Sequence, residues 1–451
     1  MNYLLRWAAN IGYVLAGLVF LPIALYRMIF EQRYRRGWEN RFGIVPKRYG
    51  ERPAIWVHAV SMGEVNAAKP MIEKICRQLP MHEVFVSTNT DTGYNRAVSL
   101  FGAEHVFFSP FDFSFCVSRA IERLRPALII LMELEVWPNL LSLANEKQVP
   151  VMVANGRITE RSSRRYGLLG PITRYIFRQL TMVLTQDEIY LNRFAQMGVE
   201  RHKLVATGSL KWDGAMIGET VPSQESLAKA MGIDTNSPLL VAGSTGDDME
   251  EETVIRCYQQ LRSRWSDLQL AIIPRKPERF DHVAKLISSR GFHAVRRSEF
   301  PDGSEGPGRF VAARPVVQLG DTMGELRKFY TLSTIVFVGR TLVPMGGSDV
   351  MEVAALGKPI VVGPHVDNFA DAVQKLISSG AAVMVDSPEK LASAIGQILE
   401  DKVKLRNMSQ AAKDVVVSNQ GATMKTVGYV CKLLGMEYDA SENAIATPKM
   451  M

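Results

Sequence analysis

From residue 51 onward, short runs of β-branched and apolar residues alternate with stretches of helical periodicity, and that alternation leaves little choice of architecture. Parallel strands cannot be joined by tight turns. Each needs a crossover, usually a helix, and such helices cover both faces of the sheet. In the first half the strand-like runs are Ala54–Val60, Glu83–Thr88, His105–Pro110, Ala127–Met132, Pro150–Ala154, Thr181–Thr185 and Lys203–Thr207. Between them lie helical patterns such as Glu64–Leu79, where Ala67, Met71, Ile75 and Leu79 share one face. A second series runs through Pro238–Ala242, Leu268–Ile273, Thr334–Val338, Pro359–Val362 and Ala381–Val385. The polar stretch 218–238 separates the two. The pattern therefore predicts two doubly wound α/β lobes joined near residues 212–235, with ligands beyond the carboxyl ends of the strands and the expected site in a cleft between the lobes.

The first fifty residues read differently. No charged residue occurs from Trp7 to Tyr26, and about 20 apolar residues suffice to span a bilayer core. Arg6 precedes the run, whereas Arg27, Arg33, Arg35, Arg36 and Lys47 follow it, so the basic side and the body of the chain are expected on the cytoplasmic face. Gly12, Gly17 and Pro22 interrupt the run, which keeps an interfacial helix open beside a spanning one. The expected organisation is an anchor and basic segment over 1–50, one lobe over 51–220, a second over 221–436, and a disordered tail over 437–451. The net charge of +7 suits an anionic membrane and anionic substrates. No zinc-finger spacing or aromatic RNA-binding signature accompanies it, which argues against nucleic acid. Cys76, Cys116, Cys257 and Cys431 are far apart, so free buried thiols are expected rather than a disulfide framework or zinc site.

Polar residues cluster where the predicted strands end. After the first strand comes His58-Ala59-Val60-Ser61-Met62-Gly63-Glu64, which places a carboxylate at a helix start. Such a carboxylate can complement the helix dipole, or it can deprotonate an incoming hydroxyl. After Met132 come Glu133 and Glu135, two acids at the tip of an apolar strand, and then Pro138 to open a helix. Asn155-Gly156-Arg157 and Gly208-Ser209-Leu210-Lys211 each put a cation at a strand end, where it can steady a departing phosphate or pair on the surface.

The second series carries four more groups. Gly243-Ser244-Thr245-Gly246 opens a helix with Asp247, Asp248, Glu250, Glu251 and Glu252, acids expected to be solvated and to complement the dipole. Pro274, Arg275 and Lys276 follow a strand, and the two cations suit a nucleotide phosphate. Next come Asp321-Thr322-Met323-Gly324-Glu325-Leu326 and the loop Gly346-Gly347-Ser348-Asp349-Val350-Met351-Glu352. Paired glycines let the backbone approach a ligand, and Glu352 can accept ribose hydroxyls. The seven histidines are scattered and no Asp-x-Asp occurs, so neither a metal nor a cofactor is expected.

In that order, the anchor and these motifs resemble the Kdo (3-deoxy-D-manno-octulosonic acid) transferase family of lipopolysaccharide assembly, over most of residues 1–430. The resemblance implies a GT-B fold, two Rossmann-like lobes facing a central cleft. It implies an inverting, metal-independent transfer of Kdo from a CMP-Kdo donor to a lipid A precursor, lipid IVA, at the cytoplasmic face of the inner membrane. It implies Glu64 as general base, with Glu133 and Lys211 stabilising the transition state. It implies that Pro274, Arg275, Met323, Gly324, Glu325, Asp349, Val350, Met351 and Glu352 form the CMP site. The sequence departs from the family's usual Gly-Gly-His-Asn-Pro-x-Glu loop at Ser348 and Asp349, which bears on how the donor is held. The alternatives are a GT-B transferase or epimerase using a UDP-sugar, and a non-catalytic GT-B membrane scaffold.

Overall fold

The computed structural model describes residues 2–31, 36–48, 50–308, 310–311 and 314–439. Arg33, Arg35 and most of the expected tail lie outside them. The chain divides into two compact units. One contains residues up to Gly214 together with those from Asn419 on, and the other is Ala215–Ser418.

The first unit holds a seven-stranded sheet. Its strands are β1 (Ala54–His58), β2 (Glu83–Thr88), β3 (Val106–Phe108), β4 (Pro126–Met132), β5 (Val151–Gly156), β6 (Met182–Thr185) and β7 (Leu204–Ala206). They lie in the order β3-β2-β1-β4-β5-β6-β7, every pair parallel. Strands covered on both faces read as continuous apolar runs, and β1 and β4 do so. Ile129 and Leu131 of β4 pack on one side with Trp56, Phe107, Val153 and Phe194. Leu128, Ile130 and Met132 pack on the other with Val57, Met71 and Ile75.

The second unit contains β8 (Leu239–Thr245), β9 (Gln269–Pro274), β10 (His293–Arg296), β11 (Phe310–Val311), β12 (Arg314–Leu319), β13 (Ile335–Val338), β14 (Ile360–Val362) and β15 (Ala382–Met384). The order is β10-β12-β9-β8-β13-β14-β15, all parallel, with β11 antiparallel to β12. The strand-like runs of the sequence recur here as strands. Missing from that reading were β10, β11 and β12. β10 is an edge strand whose residues are mostly half-exposed, and β12 begins with Arg314 and Pro315, so neither presents an apolar run.

The chain returns to the first unit at its end. Helix Ala422–Leu433 buries Ala422, Val427, Val430 and Cys431 in the cluster that includes Met71 and Ile75 of helix Met62–Gln78. Its start is fixed by Asp213, whose carboxylate accepts the N–H groups of Gly421 and Thr423. The sequence placed this helix with the second lobe, up to residue 436. Its packing assigns it to the first, because local periodicity names a buried face without naming the surface that covers it.

Helix Asn2–Phe30 contains an 18-residue window, Arg6–Ile23, with mean hydropathy 1.4. Of the four cysteines, all free, three are buried. Cys76 is exposed on the outer side of helix Met62–Gln78.

Because Val430 has no exposed surface, Val430→Ala should destabilise the first unit by roughly 2 kcal/mol. Chemical denaturation of the full chain measures it, and the same change at exposed Val417 should cost a small fraction of that.

Candidate active site

In an open parallel sheet the connections on either side of one strand leave in opposite directions, and a crevice forms beyond the carboxyl ends at that point. In the first sheet the reversal falls at β1, which pairs with β2 on one side and β4 on the other. The residues just past these strand ends are Val60–Glu64 and Glu133–Trp137. In the second sheet the reversal falls at β8, between β9 and β13. There the strand ends lead into Ser244–Asp248 and Gly339–Leu342. The motifs found in the sequence therefore stand at both switch points.

In the first unit Ser61 caps helix Met62–Gln78, and its hydroxyl donates to Glu64 Oε1 at 3.1 Å. The Val60 N–H donates to Glu64 Oε2 at 3.0 Å. This is close to a capping box, with Glu64 reaching back to the N–H one residue before the capping Ser61, so the structural role of Glu64 is real. It does not exhaust the residue. Burial pushes the Glu64 carboxyl up to about 7, against the Val60 hydrogen bond and with further repulsion from Glu133 and Glu135. A carboxylate with that affinity is matched to taking a proton near neutral pH.

Glu133 sits in a left-handed backbone conformation, φ 53°, which is costly for a residue with a Cβ. Its N–H donates to the Ala154 carbonyl at 3.0 Å, which holds the turn. Lys211 Nζ lies 3.8 Å from Glu133 Oε1. Lys211 is brought there by Asn155, also left-handed at φ 56°, whose Oδ1 accepts the Leu210 N–H at 3.0 Å. Asn155 thus starts the short helix Leu210–Asp213 that carries the lysine. Arg157 of the same motif turns to the Tyr190 hydroxyl, 3.3 Å away.

Two further residues belong to this cluster. Glu135 receives the Trp137 indole N–H at 3.0 Å, and burial raises its carboxyl above the ordinary range. His58 is buried, with Nδ1 2.8 Å from the Ser87 hydroxyl and Nε2 3.9 Å from Glu135. Burial pushes His58 down to about 4, so the ring is neutral at pH 7. Glu135 was visible as half of an acidic pair. Nothing in the spacing singled out His58.

The second unit is organised by acids that the sequence reading took for solvated ones. Asp247 does cap helix Asp248–Arg262, accepting the Met249 N–H. Glu250 and Glu251, however, have no exposed surface. Glu250 accepts backbone N–H groups from Gly246, Arg340, Thr341 and Leu342 at 3.1, 2.7, 2.8 and 3.1 Å. One carboxylate thereby ties the loop after β8 to the loop after β13. Glu251 accepts the Thr245 hydroxyl at 2.8 Å and pairs with Arg279 at 2.5 Å. A charge run predicts solvation only on average, and here two members are consumed by backbone and guanidinium donors.

The candidate donor-site residues fall into two groups. Arg275, Asp349 and Glu352 lie within electrostatic reach of one another. Burial raises the Glu352 carboxyl, Asp349 adds to the rise, and Arg327 and Arg275 oppose it. Arg275 is exposed at the end of β9, its N–H held by the Thr245 carbonyl at 2.8 Å. Gly346 and Gly347 are both left-handed, at φ 79° and 80°, so this turn demands glycine twice in succession. Pro274, Val350 and Met351 are buried. In the second group, burial raises Glu325 but bonds from Thr322, Lys328 and Arg297 outweigh it and hold the carboxyl below its usual range. Glu325 is thus already engaged, and it fixes a turn in which Met323 is exposed and Gly324 is left-handed. Ser348 is buried, and among the described residues its hydroxyl has no hydrogen-bond partner.

Two doubly wound, largely parallel α/β sheets with polar turns at their switch points define a GT-B glycosyltransferase architecture. Solved structures agree on the fold. UDP-GlcNAc 2-epimerase from Neisseria meningitidis covers 84% of this chain and 100% of its own at TM-score 0.55 and 14% identity. A glycosyltransferase from Rickettsia africae covers 85% and 99% at TM-score 0.54 and 12% identity. A family model described as 3-deoxy-D-manno-octulosonic-acid transferase matches residues 36–214, and one described as glycosyl transferases group 1 matches residues 315–415. The 3-deoxy-D-manno-octulosonic acid transferase of Haemophilus influenzae is 32% identical over 87% of this chain and 90% of its own. That of Bordetella pertussis is 33% identical over 90% and 95%. The chain belongs to the Kdo transferase family, and it is a glycosyltransferase of lipopolysaccharide synthesis.

Glu250 holds four backbone donors from two loops, so its replacement should be felt at both. Glu250→Gln should cost roughly 1.5–3 kcal/mol, since an amide nitrogen cannot accept a hydrogen bond. Glu252→Gln, on the same helix but partly exposed, is the control, and the difference in unfolding midpoint measures the clasp.

Proposed function

We propose that this chain transfers Kdo from CMP-Kdo to lipid IVA with inversion at the anomeric carbon and without a metal at the transfer centre, at the cytoplasmic face of the inner membrane. The observation that carries the reading is Glu64. It is a half-buried carboxylate at the switch point of the first sheet, oriented by Val60 and Ser61 and adjusted to about 7. It takes the proton of the acceptor hydroxyl as that oxygen attacks the donor sugar. Lys211 meets negative charge that develops during transfer, and Glu133 holds Lys211 in place. In the second unit the Arg275 guanidinium receives the CMP phosphate and Glu352 accepts the ribose hydroxyls. Pro274, Met323, Gly324, Asp349, Val350 and Met351 line the nucleotide through their backbone and short turns, while Glu325 holds the 322–325 turn in shape. The donor carries a carboxylate and a phosphate and the acceptor carries phosphates, which accords with a net charge of +7.

Glu64→Gln preserves an oxygen for the Val60 N–H but cannot take a proton, so transfer should fall by about 10²–10⁴-fold while CMP binding stays unchanged. The ionised form is the active one. With a carboxyl at about 7, activity should therefore rise with pH up to that value and level above it, being about tenfold lower at pH 6 than on the plateau. Initial rates on the wild type and the variant across pH 5–9 check both statements. Full activity of Glu64→Gln would remove the base assignment.

CMP should raise the melting temperature of the chain more than UDP at equal concentration, as a ligand of the folded state does. Glu352→Gln should weaken CMP binding by roughly tenfold or more. Mass spectrometry of the product from CMP-Kdo and lipid IVA reads donor, acceptor and number of additions in one experiment. A preference for UDP would favour the UDP-sugar alternative.

A further inference from the structure

Helix Asn2–Phe30 is apolar enough to cross a membrane, yet one face of its first half is occupied by protein. Arg6, Asn10 and Tyr13 recur at helical spacing and are the residues by which it docks. Arg6 pairs with Glu146 at 2.6 Å. The Asn10 side chain donates to the Ser114 hydroxyl at 2.9 Å and accepts from the Ser114 N–H at 3.2 Å and from the Asn139 amide at 3.0 Å. The Tyr13 hydroxyl donates to Asp112 at 2.9 Å, and its ring meets Phe113 edge-on at 5.7 Å. Asp112 in turn accepts the N–H groups of Asn139 and Leu140, the first turn of helix Pro138–Glu146. On the opposite side of the same turns, Trp7, Ile11, Val14, Leu15 and Leu18 are each more than half exposed.

We propose that this helix lies along one leaflet of an anionic bilayer and does not cross it, clamped to the first unit by Arg6, Asn10 and Tyr13. The inference rests on the reading of the helix as a membrane element and adds its orientation. Chain geometry carries it. A spanning helix puts its two ends on opposite sides of a hydrocarbon core about 30 Å thick. Residues 6–13 are bonded to the same unit that holds Arg36, whose guanidinium reaches Asn95 at 3.2 Å. The start of the helix therefore stays on the side of the body. From Tyr13 the rest of the helix runs about 25 Å at 1.5 Å per residue. The path from Phe30 back to Arg36 reaches at most about 20 Å when fully extended, too short to recross the core. Over residues 6–13 a docked polar face and an exposed apolar face place the helix in the interface, and from Val14 to Ile23, where it is apolar and exposed on every side, it sinks among the acyl chains of the same leaflet. The net charge of +7 accords with a leaflet of negative surface charge. The helix Pro138–Glu146 that receives the clamp follows directly on the Glu133–Trp137 turn, so the membrane plane and the candidate catalytic residues share one rigid connection.

The test is the sidedness of the first residues. Asn2→Cys is made in the full chain with Cys76→Ser, the other three cysteines being buried. Membrane-bound protein is treated with an impermeant maleimide in inverted inner-membrane vesicles and in spheroplasts. Labelling in inverted vesicles, where the body is outside, and protection in spheroplasts are expected. Labelling in spheroplasts with protection in inverted vesicles would overturn the proposal and restore a span. Recovery of the chain in the soluble fraction after a low-salt wash would remove the bilayer as partner altogether, a separate result that also overturns it.

Discussion

The backbone N–H groups left open where a parallel strand turns into a helix have to be met by something, and in both units a glutamate meets them. Glu64 accepts the N–H of Val60, four residues before it, and Glu250 accepts that of Gly246, also four before it. Each stands in the first turn of the helix after the strand at which its sheet reverses. The two then diverge. Glu250 spends its remaining capacity on Arg340, Thr341 and Leu342, and is closed from solvent. Among the described residues Glu64 has only the Ser61 hydroxyl on its second oxygen, and it keeps part of its surface. One position in the architecture thus serves as a fastening in one unit and, in the proposed mechanism, as a proton acceptor in the other, and the two differ in the number of N–H groups spent on them.

The same economy explains the strain around Glu133. A residue with a side chain held at φ 53° persists only when its surroundings fix it more firmly than it resists. Here the Ala154 carbonyl holds its N–H, and left-handed Asn155 directs Lys211 toward its carboxylate. Burial raises the proton affinity of Glu64, and repulsion from Glu133 and Glu135 adds to it. The polar residues thus form a single electrostatic unit rather than a row of separate motifs.

Much of this was legible in the sequence because parallel strands buried on both faces announce themselves as apolar runs. The runs at Glu83–Thr88 and Ala127–Met132 mark β2 and β4 almost to the residue. β10 and β12 were not legible, since an edge strand with Arg296 and a strand opened by Arg314 and Pro315 carry no such run. The site motifs could be found because they follow strands. Their division of labour could not. Five acids within six residues look alike in sequence, and only the approach of the loop after β13, some ninety residues away, and of Arg279 separates buried Glu250 and Glu251 from the others. Likewise His58 reads as the last residue of a strand until burial beside Glu135 gives it a chemical setting.

Helix Ala422–Leu433 closes the core begun by β1 and helix Met62–Gln78, with some 350 residues between these partners in the chain. The second unit is accordingly an insert, entered at Ala215 and left at Ser418. During synthesis the first unit emerges early with one apolar flank of its sheet layer uncovered. It stays in that condition until the final helix clears the ribosome, by which time the insert can already be folded. Contacts this distant along the chain form late and slowly. The first unit therefore carries uncovered apolar surface at β1 and helix Met62–Gln78 until the final helix packs.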